Sequence, residues 1–172
     1  MGVFKIEGGH TLKGSITPQG AKNEALQVLC AVLLTDQKVT IHNIPDIQDV
    51  NKLISLLENL GVKIQKLGKG TYSFQADDIN IDYLKSESFH TEGQALRGSI
   101  MIVGPLLTRF GVGYIPKPGG DKIGRRRLDT HFEGFIKLGA HFEYDENNFT
   151  YSVVAKKLKG SYMLLEEASI TG

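Results

Sequence analysis

Charge of one sign is scarce in this chain: 20 Lys and Arg stand against 19 Asp and Glu, a net charge of +1. Global electrostatics therefore points to neither a nucleic acid nor a membrane surface, and any anion site has to be local. Only one cysteine is present, so no disulfide can form within the chain. That residue, Cys30, lies inside "ALQVLCAVLL" (25–34) and reads as a small core side chain. The same stretch is the longest strongly apolar run, about half of the ~20 residues a membrane helix needs, and reads as a buried helix. The N-terminus, "MGVFKIEGGH", lacks the apolar run of a secretory signal. The histidines have no metal-ligand spacing with one another or with the cysteine, which leaves neither metal nor cofactor expected. No linker or low-complexity stretch divides the sequence. These absences describe a soluble, cytoplasmic chain of one domain, or one domain with part of another.

What the sequence does contain is a repeat. "LLTDQKVTI" (33–41) matches "LLTRFGVGYI" (106–115), an apolar helix end, a polar turn and an alternating strand. "LLENLGVKI" (56–64) matches "FIKLGAHF" (135–142), each a helix closed by glycine and followed by a strand. In the first unit Ile47, Val50, Leu53, Leu57 and Leu60 share one face; Pro45–Asp46 supplies a start, with Asp49 in a capping arrangement. Hairpins follow, turning at Gly68–Gly70 and at Glu146–Asn148. "LKGSYMLLEEASITG" (158–172) then restates "LKGSITPQGAKN" (12–23), a strand leading into a buried helix. A third unit thus opens at residue 158 without its helix, and the chain reads as a fragment of a longer protein. The expected architecture is α/β or α+β, built from strand–helix–strand–helix–strand–strand units. The polar, acidic segment 76–94 reads as including a surface loop.

Two stretches carry candidate chemistry. "KPGGDKIGRRRLDTHF" (117–132) follows the strand that closes 106–115 and leads into the next helix of the second unit. Gly119 and Gly124 have phosphate-loop spacing, but Arg125 and Arg126 follow where Lys and Ser/Thr are required. "GVGYIP" (111–116) lies in a strand and does not open a helix, so it is no dinucleotide fingerprint. Between 109 and 127, Arg109, Lys117, Lys122, Arg125, Arg126 and Arg127 surround a single acid, Asp121. Guanidinium groups bind phosphate and carboxylate bidentately, so the loop reads either as an anion site or as a solvated basic loop. No aromatic residues interleave with the arginines as a nucleic-acid stacking platform needs. Asp129 reads as the N-cap of the next helix. In "TPQGAKNEAL" (17–26), Gly20 breaks the strand, and Lys22 and Asn23 open an apolar helix. A lysine there opposes the helix dipole, so it either snorkels to solvent or shares an anionic ligand with the backbone N–H groups. The repeat places Arg97 at the start of the equivalent helix, so both cations are expected at one cleft.

"GAKN", "LRGSI…GPLLTRFG", "PGGDKIGRRRLDTH" and the final "ASITG" closely resemble the bacterial UDP-N-acetylglucosamine enolpyruvyl transferases, in order and at matching spacing from about residue 3 onward. The resemblance implies an inside-out α/β barrel of two domains, each of three repeated units. Residues 1–20 would then belong to the far domain and 21–172 to an incomplete N-terminal domain. It implies transfer of the enolpyruvyl group of phosphoenolpyruvate to the 3′-hydroxyl of UDP-N-acetylglucosamine, with release of phosphate, the first committed step of peptidoglycan synthesis. By position, Lys22 would contact phosphoenolpyruvate, with Asn23 between it and the amino sugar. Arg97 would hold a nucleotide-sugar phosphate, and Arg126 would touch both substrates. Arg127, Leu128, Asp129 and Thr130 would line the uridine pocket, with Ser169, Ile170 and Thr171 at its rim; His131 follows the same pattern.

Asp121 stands where many family members have a cysteine, the general acid that protonates the methylene carbon. An aspartate there implies insensitivity to fosfomycin, which alkylates that thiolate. Arg125 and Arg127 replace the residues that usually flank the matched arginine, which leaves open which guanidinium contacts ligand. Catalytic groups of the far domain lie outside these 172 residues, so the chain alone is expected to be inactive and prone to self-association, and the intact enzyme monomeric. The alternatives are a shikimate 3-phosphate enolpyruvyl transferase, whose loop signatures differ, and a nonenzymatic anion- or RNA-binding module.

Overall fold

The computed structural model describes residues 3–115, 128–146 and 150–164. Its elements are α1 (Lys22–Ala31), β1 (Val39–Ile41), α2 (Gln48–Asn59), β2 (Lys63–Gly68), β3 (Thr71–Gln75), α3 (Glu87–Gln94), α4 (Val103–Phe110), β4 (Val112–Ile115), α5 (Asp129–Lys137), β5 (His141–Asp145) and β6 (Thr150–Val154). Short 3-10 turns cover Val32–Leu34, Ile81–Lys85 and Arg97–Ile102; the last runs directly into α4.

The repeat is real in three dimensions. One antiparallel sheet has the order β1-β3-β2 and the other β4-β6-β5, so each unit places its third strand between its first and second. Val39 pairs with Phe74 in the first sheet, and Val112 with Val154 in the second. The second helix of each unit, α2 or α5, ends in the same way: Gly61 and Gly139 adopt φ of 109° and 96°, a left-handed backbone that only glycine enters at little cost.

Helix α2 shows why the apolar spacing dictates its packing. Val50, Leu53, Leu57 and Leu60 are buried with Ile47 packed beside them, the face read from the sequence, and Leu56 joins them. They share a core with Leu26, Leu29, Cys30 and Leu33 of the first helical stretch and Phe74 of β3. Each such side chain contributes about 1.5–3 kcal/mol by leaving water. The second unit has its own core, in which Ile100, Val103, Leu107, Leu128 and Val153 meet.

Three local expectations are corrected. Residues 12–19 form no strand; the whole segment 3–19 is exposed, with Phe4, Leu12 and Ile16 almost fully so. Among the described residues no strand lies beside it, and an extended segment without a neighbour has no ladder to join. Segment 158–164 likewise forms no strand. The acidic segment 76–94 does include an exposed loop, at 77–78, and the rest of it is largely helical, held by buried Leu84 and Phe89. Its starts are capped: Asn80 Oδ1 accepts from the Tyr83 N–H at 3.2 Å, and Ser86 Oγ from the Phe89 N–H at 3.1 Å. Neither Asp46 nor Asp129 caps a helix: the cap positions are Ile47 and Leu128 without side-chain caps, and Asp129 is the first helical residue. Asp46 Oδ1 instead accepts from Asn51 Nδ2 at 2.9 Å.

Candidate functional site

Lys22 is the first residue of α1, after an N-cap, Ala21, that supplies no side-chain hydrogen bond. The N-terminus of α1 therefore presents N–H groups and the positive end of the helix dipole beside an ammonium. The opposing charge comes from α2. Lys22 Nζ donates to Asp49 Oδ2 at 2.9 Å, with both side chains about half-exposed. Asp49 itself lies in the first turn of α2, so two helix N-termini face each other across one cation and one anion. Asn23, next in the chain, is exposed.

The entries to the two helices are also locked by backbone contacts. Gln19 Oε1 accepts from the Asp46 N–H at 3.1 Å. A Cβ added at Gly20 would collide with the carbonyl oxygen of Asn43 and lie 3.3 Å from Pro45 Cδ. Glycine at 20 is thus required by this close approach, and not merely because it interrupts a strand. Asn43 takes φ of 58°, which asparagine tolerates better than most residues. The following N–H, of Ile44, donates to the Gly70 carbonyl at 2.9 Å, tying the corner to the β2–β3 turn.

Arg97 opens the turn that leads into α4. A Cβ at its neighbour Gly98 would lie 3.1 Å from Leu26 Cδ1, so α1 packs against this turn. Leu26 is four residues after Lys22 and shares its face of α1. Helix α2 reaches the same region: Lys52 Nζ, three residues after Asp49, donates to the Ala95 carbonyl at 3.2 Å. From the other side, Ile100 of the turn shares a core with Leu128, which precedes the half-buried Asp129, Thr130 and His131. The described part of the site thus links α1, the 97–102 turn and the start of α5. Asp121, Arg125, Arg126, Arg127, Ser169, Ile170 and Thr171 lie outside the described residues.

Arg109 has a different role from the one its place in the cation-rich stretch suggests. Its Nη1 lies 3.2 Å from the carbonyl oxygens of Leu33 and Thr35 and 2.6 Å from that of Ala76. The guanidinium therefore ties α4 to the end of the first helical stretch and to the residue after β3. It also lies over the Phe110 ring, 4.9 Å from its centre. Five cations of the stretch 109–127 are then left for any anion: Lys117, Lys122, Arg125, Arg126 and Arg127.

Cys30 is buried, and burial pushes its thiol up to about 12, so it has none of the thiolate character of a nucleophile. Among the described residues no three His, Cys, Asp or Glu side chains come together to hold a metal, and no helix is long and apolar enough to cross a membrane. A groove of about 790 Å³ lies beside His141, Glu143, Lys156 and Lys157, and another of about 640 Å³ beside Asn59, Gly61 and Asp78. Neither is lined by Lys22, Asn23 or Arg97. Sequence reasoning placed Asp49 in a cap and missed it as the partner of Lys22. The signal was there in principle, since a lysine at a helix N-terminus calls for a nearby carboxylate.

The family model described as EPSP synthase (3-phosphoshikimate 1-carboxyvinyltransferase) matches residues 6–171. The UDP-N-acetylglucosamine 1-carboxyvinyltransferases of Bacteroides thetaiotaomicron and Porphyromonas gingivalis are each 58% identical over 172 residues, which is 100% of this chain and 40% of theirs. The enzyme of that name from Treponema denticola is 39% identical over 171 residues, 99% of this chain and 38% of its own length. The chain thus spans about two fifths of the length of the curated relatives it matches. Among solved structures, the enolpyruvyl transferase NikO of Streptomyces tendae superposes with a TM-score of 0.68 at 19% identity, covering 88% of this chain and 32% of NikO. EPSP synthase of Acinetobacter baumannii gives 0.63 at 14% identity, covering 92% and 36%. At those identities the likeness is one of fold.

Proposed function

The chain belongs to the EPSP synthase (3-phosphoshikimate 1-carboxyvinyltransferase) family, and from that premise we propose that it serves enolpyruvyl transfer from phosphoenolpyruvate to the 3′-hydroxyl of UDP-N-acetylglucosamine. The observation that carries this reading is 58% identity, over all 172 residues, to proteins named for that nucleotide sugar. In this reading Lys22 binds phosphoenolpyruvate at the N-terminus of α1, where N–H groups and ammonium both favour an anion. Asn23 bridges to the amino sugar, and Arg97 holds a nucleotide phosphate. Arg126 contacts both substrates, and Arg127, Leu128, Asp129, Thr130, Ser169, Ile170 and Thr171 surround the uridine. Residues 1–20 contribute to the far domain, and the reaction belongs to cytoplasmic cell-wall synthesis.

Asp121 is the proton donor. Its proton goes to the methylene carbon of phosphoenolpyruvate as the sugar oxygen, losing its own proton to a carboxylate of the far domain, adds to the adjacent carbon; the tetrahedral adduct then loses a proton from the new methyl group as phosphate leaves, which restores the carbon–carbon double bond. A carboxylic acid can perform this step only if its pKa is raised, and the neighbouring cations act in the opposite direction. Burial on loop closure and the substrate's own phosphate charge would have to offset them. Because a carboxylate replaces the thiolate that fosfomycin alkylates, the full-length protein should remain active in that compound; a covalent adduct on residues 117–132 would refute the assignment.

The deciding experiment is phosphate release by the full-length protein with phosphoenolpyruvate and either UDP-N-acetylglucosamine or shikimate 3-phosphate. Release with the nucleotide sugar alone, abolished in Asp121→Ala, is the expected result. Release with shikimate 3-phosphate alone would transfer the chain to the sister activity. The isolated 172-residue chain, which spans about two fifths of the length of the relatives it matches, should show no turnover and a tendency to self-associate.

A further inference from the structure

We infer that Asp49 is a positioning residue for Lys22, setting the ammonium where an anionic substrate meets the N-terminus of α1. This rests on the proposed role of Lys22 in binding phosphoenolpyruvate. A lysine side chain carries four rotatable bonds and no intrinsic preference for one direction. At the first position of α1 the helix dipole repels its charge toward solvent. The contact that opposes this is the 2.9 Å hydrogen bond from Nζ to Asp49 Oδ2. Glu24, in the same turn of α1, is two residues from Lys22 and so faces a different side of the helix.

Asp49 is itself held in place. It lies in the first turn of α2, where a carboxylate is favoured by the helix dipole. Three residues later, on the same face, Lys52 fixes α2 to the carbonyl of Ala95, two residues before Arg97. On the other side, the Gln19–Asp46 hydrogen bond and the close fit of Gly20 under Asn43 hold the entry of α1 against the entry of α2. One polar face of α2 therefore registers both the Lys22 ammonium and the start of the Arg97 turn. One carboxylate beside one ammonium and two positive helix ends also leaves a net attraction for a further anion. Asp49 can thus orient Lys22 without cancelling the site.

The test is calorimetric binding of phosphoenolpyruvate to the full-length protein, with Asp49→Asn, Asp49→Glu, Lys22→Ala and the double variant Lys22→Ala/Asp49→Asn. Asp49→Asn should weaken binding about two- to fivefold, the scale of one exposed charge-pair coupling, and Asp49→Glu should recover part of it. The double variant should bind no more weakly than Lys22→Ala, because Asp49 acts through the lysine. Unchanged binding in Asp49→Asn overturns the inference, and so does a loss that adds fully to that of Lys22→Ala. Tighter binding overturns it as well, since Asp49 would then be competing with substrate. If the protein transfers nothing to UDP-N-acetylglucosamine yet binds phosphoenolpyruvate in this Asp49-dependent way, the proposed activity falls and the positioning role stands.

Discussion

Replacing Arg109 by alanine tests whether that guanidinium is part of the scaffold. In the native chain its Nη1 approaches three main-chain carbonyls, of Leu33, Thr35 and Ala76, from a half-buried position. One NH₂ group has two protons, so the three acceptors share two hydrogen bonds' worth of donation. A hydrogen bond with a charged partner contributes about 1.5–3 kcal/mol, which puts the loss at roughly 3 kcal/mol once the exposed part is discounted. Water can reach some of the orphaned carbonyls, which keeps the figure from doubling. For a chain of this size each kcal/mol moves the melting temperature by about 2–4 °C, so Arg109→Ala should melt about 6–12 °C lower. Arg109→Lys should fall between, because an ammonium keeps the charge but not the planar donor fork. Thermal unfolding followed by far-ultraviolet circular dichroism on wild type and both variants measures this directly. An Arg109→Ala variant that melts within 2 °C of wild type would show that the carbonyl contacts carry no net stability, and would return Arg109 to the pool of ligand-facing cations.

Three further outcomes are expected. Gly20→Ala should destabilise the chain by about 1–3 kcal/mol in urea unfolding, since the added methyl meets the backbone of Asn43, which cannot swing aside as a flexible side chain can; a change below 0.5 kcal/mol would contradict that close approach. Cys30 should resist a thiol reagent at pH 8 in the native chain and react at once in denaturant, as expected of a fully enclosed thiol. Folding raises that thiol from 9.0 to about 12, so its contribution is fully present below pH 9 and is lost as pH rises from 9 toward 12. Cys30→Ala should accordingly show a shallower alkaline decline than wild type, and identical slopes would show that the thiol does not control that limb.

Much of the fold was legible because its signals are local. The apolar spacing of Val50, Leu53 and Leu57 closes one helical face whatever lies opposite it, and Gly61 and Gly139 mark helix ends because few other residues accept a positive φ there. The internal repeat added what a single unit would not show, since two matched segments had to take one topology. Polar composition concealed the helices within 76–94. Two buried side chains, Leu84 and Phe89, were enough to anchor them. Segment 12–19 erred in the opposite direction: a strand-like pattern makes no strand without a neighbour to receive its hydrogen bonds.

The candidate site divides in the same way. Lys22, Arg97 and the arginine-rich loop stood out in the sequence because charge at the start of an apolar helix, or on glycines, is locally out of place. Their partners did not stand out, because they lie far along the chain. Asp49 is 27 residues from Lys22, and the Leu33 carbonyl is 76 residues from Arg109. The sequence by itself determined the amphipathic face and glycine end of α2, the hairpin that follows it, and that the second unit repeats the first. Only the tertiary structure decided that β3 lies between β1 and β2, that Asp49 serves Lys22 in place of a helix cap, and that Arg109 joins the two units. The physical reason is the same in each case. A backbone conformation is set by a residue and its near neighbours, whereas a charge or a strand edge is satisfied by whatever group the folded chain brings within about 3 Å.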